Sequence, residues 1–136
     1  MRRIVAIGTE EKSWELRDNL STYLAAFAYP WLTQSGLAEQ PAERISLTQD
    51  QRQGLKDALV EALRYLVTRL YTKPSERQLT LYPGRFERIE VDGRPYLVNY
   101  RSSEPGGLMI ALFTFAKSVS HDQDVVITLA PLVDAQ

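Results

Sequence analysis

TQDQRQGLKDALVEALRYLVTRLY at residues 48–71 and FERIEVDGRPYLVNYR at residues 86–101 decide the fold class. In the first stretch Leu55, Leu59, Ala62, Leu63, Leu66, Val67 and Leu70 recur at steps of three and four, the spacing of one helical face. Lys56, Asp57, Glu61, Arg64, Thr68 and Arg69 take the rest of the surface. Thr48 followed three residues later by Gln51 fits a capping box. Gly54 weakens the first turns by about 1 kcal/mol relative to alanine, and Lys73-Pro74-Ser75 ends the helix. In the second stretch Asp92-Gly93 predicts a two-residue type I′ turn, which sets a register. Val91 then opposes Arg94, Ile89 opposes Tyr96 and Glu87 opposes Val98. Ile89, Val91, Tyr96, Val98 and Tyr100 share a face that should meet the helices. Phe86, Arg88, Glu90, Leu97, Asn99 and Arg101 share the face left for water or a ligand.

Working outward, the chain continues into Leu108–Ala116, apolar on both faces as in a central strand. Val125–Val133 reads as the last strand, with Pro131 suited to an edge. Residues 79–82 compete with 86–91 for the start of this antiparallel meander. Pro105-Gly106-Gly107 reads as a hairpin loop: the lysine and serine or threonine of a phosphate loop are missing. Toward the N-terminus, Arg2–Ile7 is a short β-branched strand that stops at Gly8. Thr9 caps a predicted helix, with Glu10 and Glu11 in its first turn. Leu16, Leu20, Tyr23, Leu24, Phe27 and Trp31 give its apolar stripe, and Pro30 is expected to end it near Ala28. Residues 32–46 read as a connection with a helical turn around Leu37–Glu39. The expectation is a single α+β domain over residues 1–136. A short N-terminal strand and two long helices pack on one face of a four- or five-stranded, mainly antiparallel sheet.

The chain has 136 residues, 44% hydrophobic and 24% charged, enough to bury a sizeable core. It has no cysteine, which removes disulfides, thiolate metal sites and thiol nucleophiles. Met1-Arg2-Arg3 is basic, but the apolar stretch after it is too short for a leader and meets Glu10-Glu11. No run approaches the roughly 18 apolar residues of a membrane span. A cytoplasmic protein without membrane contact is expected.

The net charge of −1 carries no nucleic-acid signature, yet the charge is unevenly spread. Residues 1–63 hold seven basic and nine acidic side chains, and residues 102–136 hold one and four. Residues 64–101 hold eight basic and four acidic ones, together with five of the seven tyrosines. Arginine binds phosphate and tyrosine stacks on unpaired bases, so Arg85, Arg88, Arg101, Lys117 and His121 are the nucleic-acid candidates. His121, the sole histidine, lies in Ser118–Asp124, read as a polar connection between strands. Neighbours along a chain rarely have triad geometry, and no metal-ligand spacing occurs, so no catalytic residue, metal or cofactor is expected. Trp14 and Tyr29 fall beside the first helix's stripe, and Trp31 lies just beyond the helix, where it reads as a core plug. These three are the interface candidates, since aromatic side chains anchor protein interfaces.

The stretch Phe86-Glu87-Arg88-Ile89-Glu90-Val91-Asp92-Gly93-Arg94-Pro95-Tyr96-Leu97-Val98-Asn99-Tyr100, followed by Leu108–Lys117, is similar to the run of strands in the small toxins of the RelE/ParE/HigB superfamily. There a basic residue ends the strand after an apolar core. The order strand, helix, helix, meander resembles the same proteins. The helices here are longer, and the chain ends in a strand rather than a catalytic tail. The resemblance implies a toxin–antitoxin RNase in which Arg88, Arg101, Lys117 and His121 bind phosphate and serve general acid–base work. The leading expectation is instead a non-catalytic protein-binding module or assembly subunit. It would use an exposed sheet face or the aromatic helix edge to bind another protein or itself, as a dimer. An RNA-directed protein is the alternative.

Overall fold

The computed structural model describes residues 2–99, 104–121 and 124–131. The chain opens with strand β1 (Arg2–Gly8), turns back through Thr9–Lys12, and forms β2 (Ser13–Glu15). Helix α1 (Asp18–Gln34) follows, then a 3-10 turn at Leu37–Glu39, strand β3 (Arg44–Ser46) and helix α2 (Gln49–Leu70). A short helix α3 (Glu76–Leu81) leads to the hairpin of β4 (Phe86–Val91) and β5 (Arg94–Asn99). Helix α4 (Glu104–His121) and strand β6 (Val126–Pro131) complete the order.

The α+β class holds, with a mainly antiparallel four-stranded sheet in the order β2-β1-β6-β3. The hairpin forms a separate two-stranded sheet. The N-terminal strand therefore pairs with the last one, Ile7 opposite Ile127 and Arg2 opposite Pro131. α1 lies against β1, α2 against α1 and α4, and the hairpin against α2 and α4. Leu24, Leu55, Leu59, Leu112 and Ile127 are fully buried where these layers meet. Ser21, a buried polar side chain, donates to the Ile4 carbonyl at 2.5 Å and ties α1 to β1. Among the described residues no helix is long and apolar enough to cross a membrane.

The Thr48–Gln51 capping box forms in both directions, at 3.2 and 2.9 Å. A second box, Ser75 with Gln78, starts α3. The Asp92-Gly93 turn has positive φ at both residues, 53° and 78°, and delivers the expected register, Val91 opposite Arg94 and Glu87 opposite Val98. Ile89, Val91 and Val98 are buried, as that register requires. The 3-10 turn falls at Leu37–Glu39 as expected.

Several expectations are corrected. Leu108–Ala116 is not a strand but the middle of α4. Met109, Leu112, Ala116 and Val119 form its buried face at steps of three and four, flanked by the partly buried Ile110, Phe113 and Phe115. A helix so enclosed looks apolar at either period, and its length argues against a strand. Pro105 occupies its first turn, where a missing amide hydrogen costs nothing, so Pro105-Gly106-Gly107 is no hairpin loop. The meander consequently reduces to one hairpin. α1 starts at Asp18 rather than after Thr9, because Thr9 instead closes the β1–β2 turn by donating its amide to Lys12. α1 also runs through Pro30. Leu20, Leu24, Ala28 and Leu32 are all buried, and Pro30 sits on the solvent side where the carbonyl it strands can be hydrated. Leu70 leaves the α2 stripe and is 53% exposed. Pro131 ends a central strand rather than lying on an edge. Tyr100, Arg101, Asp122 and residues 132–133 lie outside the described residues.

Candidate functional site

The hairpin register dictates which backbone groups of β4 and β5 are used. In an antiparallel pair with a two-residue turn, the residues flanking the turn exchange both hydrogen bonds, and the alternation continues outward. Val91 with Arg94, Ile89 with Tyr96, and Glu87 with Val98 are therefore the bonded pairs. The peptide groups of Phe86, Arg88, Glu90, Pro95, Leu97 and Asn99 point away from the partner strand. Pro95 fits this parity because it has no N–H to give.

The two outer edges differ. On β5, Pro95 removes a donor and the Tyr71 hydroxyl donates to the Leu97 carbonyl at 3.2 Å. The Tyr71 ring meets Tyr96 edge-on, centroids 4.9 Å apart. Among the described residues no third strand pairs with β4, and Arg88 and Glu90 are exposed.

Beside β4 runs a groove of about 780 Å³ between three elements. α2 contributes Lys56, Val60 and Leu63, the hairpin Arg88, Glu90, Val91, Asp92 and Gly93, and α4 Phe113, Ala116, Lys117, Ser120 and His121. Its floor is apolar and its rim charged. Arg88 pairs with Glu90 at 3.1 Å. Arg64 grips Asp92 with two bonds of 2.7 and 2.9 Å. Those bonds hold the Asp92 carboxyl below the usual carboxylate range. Around the far side of the hairpin, a cleft of about 630 Å³ is lined by Tyr71, Lys73, Pro74, Leu79, Arg88, Pro95, Tyr96 and Leu97.

Of the nucleic-acid candidates, Arg88, Lys117 and His121 come together in the groove. Lys117 and His121 belong not to a strand end and a loop, as expected, but to the last two turns of α4. Phe113, Lys117 and His121 are spaced by four, so a helical reading of 104–121 would have put them on one face. Lys56 joins them from α2, although the helical period alone gives it only a place on the polar side of that helix. Arg85 does not join the groove: it ends the 3-10 turn Pro83–Arg85 and stacks on Tyr82 at 4.3 Å. Arg101 lies outside the described residues.

The tyrosines of the basic segment are largely occupied. Tyr71 and Tyr96 pack on each other, and Tyr65 meets the Phe27 ring at a 60° tilt and lies under the Arg69 guanidinium at 4.4 Å.

The interface candidates separate. Trp14 is exposed on β2, with the Lys12 ammonium 5.1 Å from its ring. It also walls a cavity of about 330 Å³ between β1, β2 and α4. Tyr29 is exposed on α1. Trp31 is inside α1 and half-buried against α2, where a Cβ on Gly54 would fall on its indole. Trp31 is therefore a packing residue, and Gly54 is the notch that receives it.

Among the described residues no three histidine, aspartate or glutamate side chains gather to hold a metal ion. No protein-family model matches the chain, and neither a curated protein nor a solved structure is significantly similar to it.

Proposed function

We propose that this chain is a non-catalytic protein-binding module of the cytoplasm that works through the exposed face of the β4–β5 hairpin. The observation that carries the reading is the apolar surface left open around that hairpin. Leu97 on β5 is exposed, as are Leu70 at the end of α2 and Leu81 and Tyr82 at the end of α3. α3 buries none of its own six residues. Exposed apolar surface of this kind, rimmed by Lys73 and Arg88, suits a protein partner. The test compares affinity capture by the wild-type chain and by Leu97→Asp. Proteins held by the wild type and lost in the variant support the reading; identical captures, or none, refute it.

A second reading has one observation in its favour, the convergence of Arg88, Lys117, His121 and Lys56 on one groove. It makes the chain an RNA binder that grips phosphate there. Its test is the 260/280 nm absorbance ratio of the purified protein at low and high salt. Bound nucleic acid that leaves at high salt, and is absent from Lys56→Glu/Lys117→Glu, is the expected result. Salt-independent RNA affinity in that variant would overturn it.

A further inference from the structure

The hairpin has one closed edge and one open edge, and the open edge is self-complementary. β4 presents outward-facing peptide groups at Phe86, Arg88 and Glu90, a template for another strand. Its neighbour α4 is a helix and pairs with no strand, and the open groove lies between Phe113, Lys117 and His121 on one side and Arg88, Glu90 and Val91 on the other. The β5 edge is unsuited to the same task, with no donor at Pro95 and the Leu97 carbonyl already taken by Tyr71.

A twofold, antiparallel pairing of β4 with β4 has only a few registers that match outward groups with outward groups. Centring it on Arg88 sets two arginines opposite each other. Centring it on Glu90 sets two glutamates opposite each other. Centring it on Ile89 places Arg88 of each copy opposite Glu90 of the other, two unlike-charge pairs on the solvent face. Opposite charges across strands are favourable and like charges unfavourable, by about 0.2–1 kcal/mol a pair. Within one chain Arg88 and Glu90 already lie on the same face, 3.1 Å apart and both exposed, so each can turn to the second copy without desolvating a buried charge.

We infer that two copies of this chain join through their β4 edges, antiparallel about an axis through Ile89, to give a four-stranded sheet across the dimer in the order β5-β4-β4-β5. The inference rests on the protein-binding reading and names the partner as the chain itself. The contact is isologous, so it closes as a dimer instead of growing into a fibre. It supplies about four inter-chain backbone hydrogen bonds, from the outward groups of Arg88 and Glu90 on each copy. RNA offers no matching ladder of donors and acceptors, which is why a peptide strand fits this edge better.

The test is sedimentation equilibrium and light scattering on the full chain over a wide concentration range. Arg88→Glu, Glu90→Arg, their equimolar mixture and the double variant are compared with the wild type. Both side chains are exposed, so circular dichroism should confirm an intact fold. The wild type should dimerise. Each single variant sets like charges opposite each other twice and should dimerise about tenfold more weakly or worse. The mixture should recover wild-type affinity as a heterodimer, Arg against Glu at both positions, and the double variant should recover it with itself. Glu90→Pro, which removes one outward N–H and leaves the hairpin ladder intact, should be monomeric.

A wild type that stays monomeric overturns the inference, as does a dimer indifferent to both single reversals or a mixture that fails to recover. Bound nucleic acid in place of a second copy overturns it as well. An indifferent dimer would still leave the chain a protein-binding module through another surface. A monomer would leave that reading to the Leu97→Asp capture experiment, so the two failures are distinguishable.

Discussion

The four-stranded sheet and the β4–β5 hairpin manage their edges in opposite ways. In the sheet the outer strands β2 and β3 are three residues each. Such short strands offer little template to another chain. Arg44 on β3 further donates to the carbonyls of Thr9 and Glu10, and Ser46 to the Glu10 carboxylate at 2.6 Å. The hairpin strands are six residues each, and among the described residues β5 alone has its edge covered, by Tyr71. The sheet's longest pairing, β1 with β6, joins the two ends of the described chain, whereas the hairpin closes within fourteen residues. The sheet is thus built for internal closure, and the hairpin leaves surface over for an encounter.

The contrast breaks most visibly in the core. Ile127→Ala removes a fully buried side chain at the position where β6 meets both Ile7 and Ile45. It should cost about 2–5 kcal/mol in urea denaturation, whereas Leu97→Ala on the open hairpin face should stay within about 0.5 kcal/mol. Equal losses would mean that the hairpin face is part of the core.

The junction between α1 and α2 comes next. Gly54→Leu puts a side chain where the Trp31 indole lies, and overpacking of this kind should cost roughly 1–3 kcal/mol. The same change in a Trp31→Ala background should cost much less, measured as a double-mutant cycle. If the two effects simply add, Trp31 does not occupy the notch.

Gly93→Ala acts on the hairpin alone. Gly93 has φ of +78° with open space around it, so the penalty is purely conformational, roughly 1–2 kcal/mol. Amide exchange should quicken in β4 and β5 and stay unchanged in β1 and β6. Uniform quickening would show that the two sheets unfold as one unit.

The smallest effect is on pH. Burial, with a smaller contribution from the nearby Tyr65, pushes the Tyr23 hydroxyl up to about 12, while it donates to the Ala62 carbonyl at 2.7 Å. An unfolded tyrosine ionises near 10, so below that pH the contribution is complete. As pH rises from about 10 toward 12 the unfolded chain loses its proton first, and stability falls. Tyr23→Phe should cost about 1 kcal/mol at neutral pH and shed that part of the alkaline loss. A phenol titrating near 10 in an ultraviolet titration of the folded wild type, for the Tyr23 signal, would refute the assignment.

What the sequence determined by itself is local. The α2 stripe, its Thr48–Gln51 cap, the Leu37–Glu39 turn and the Asp92-Gly93 hairpin with its register all rest on interactions between residues a few positions apart. Each such interaction leaves its mark in the spacing. Even the outward parity of Arg88 and Glu90 follows from the turn alone. The groove is half legible: charge singles out Arg88, Lys117 and His121, but a strand reading of 108–116 puts Lys117 and His121 on the wrong kind of element. Only the tertiary structure decided that α4 is a helix, that α1 survives Pro30, that Arg44–Ser46 is a strand, and that β1 pairs with β6. The reason is physical in each case. Over 108–116 helix α4 exposes Thr114 alone, so that stretch has no polar face to give its period away; burial of Leu32 outweighs a proline on the solvent side, and a three-residue strand is too short to show alternation. The pairing of distant strands is set by which buried faces fit together, which no stretch of neighbouring residues encodes.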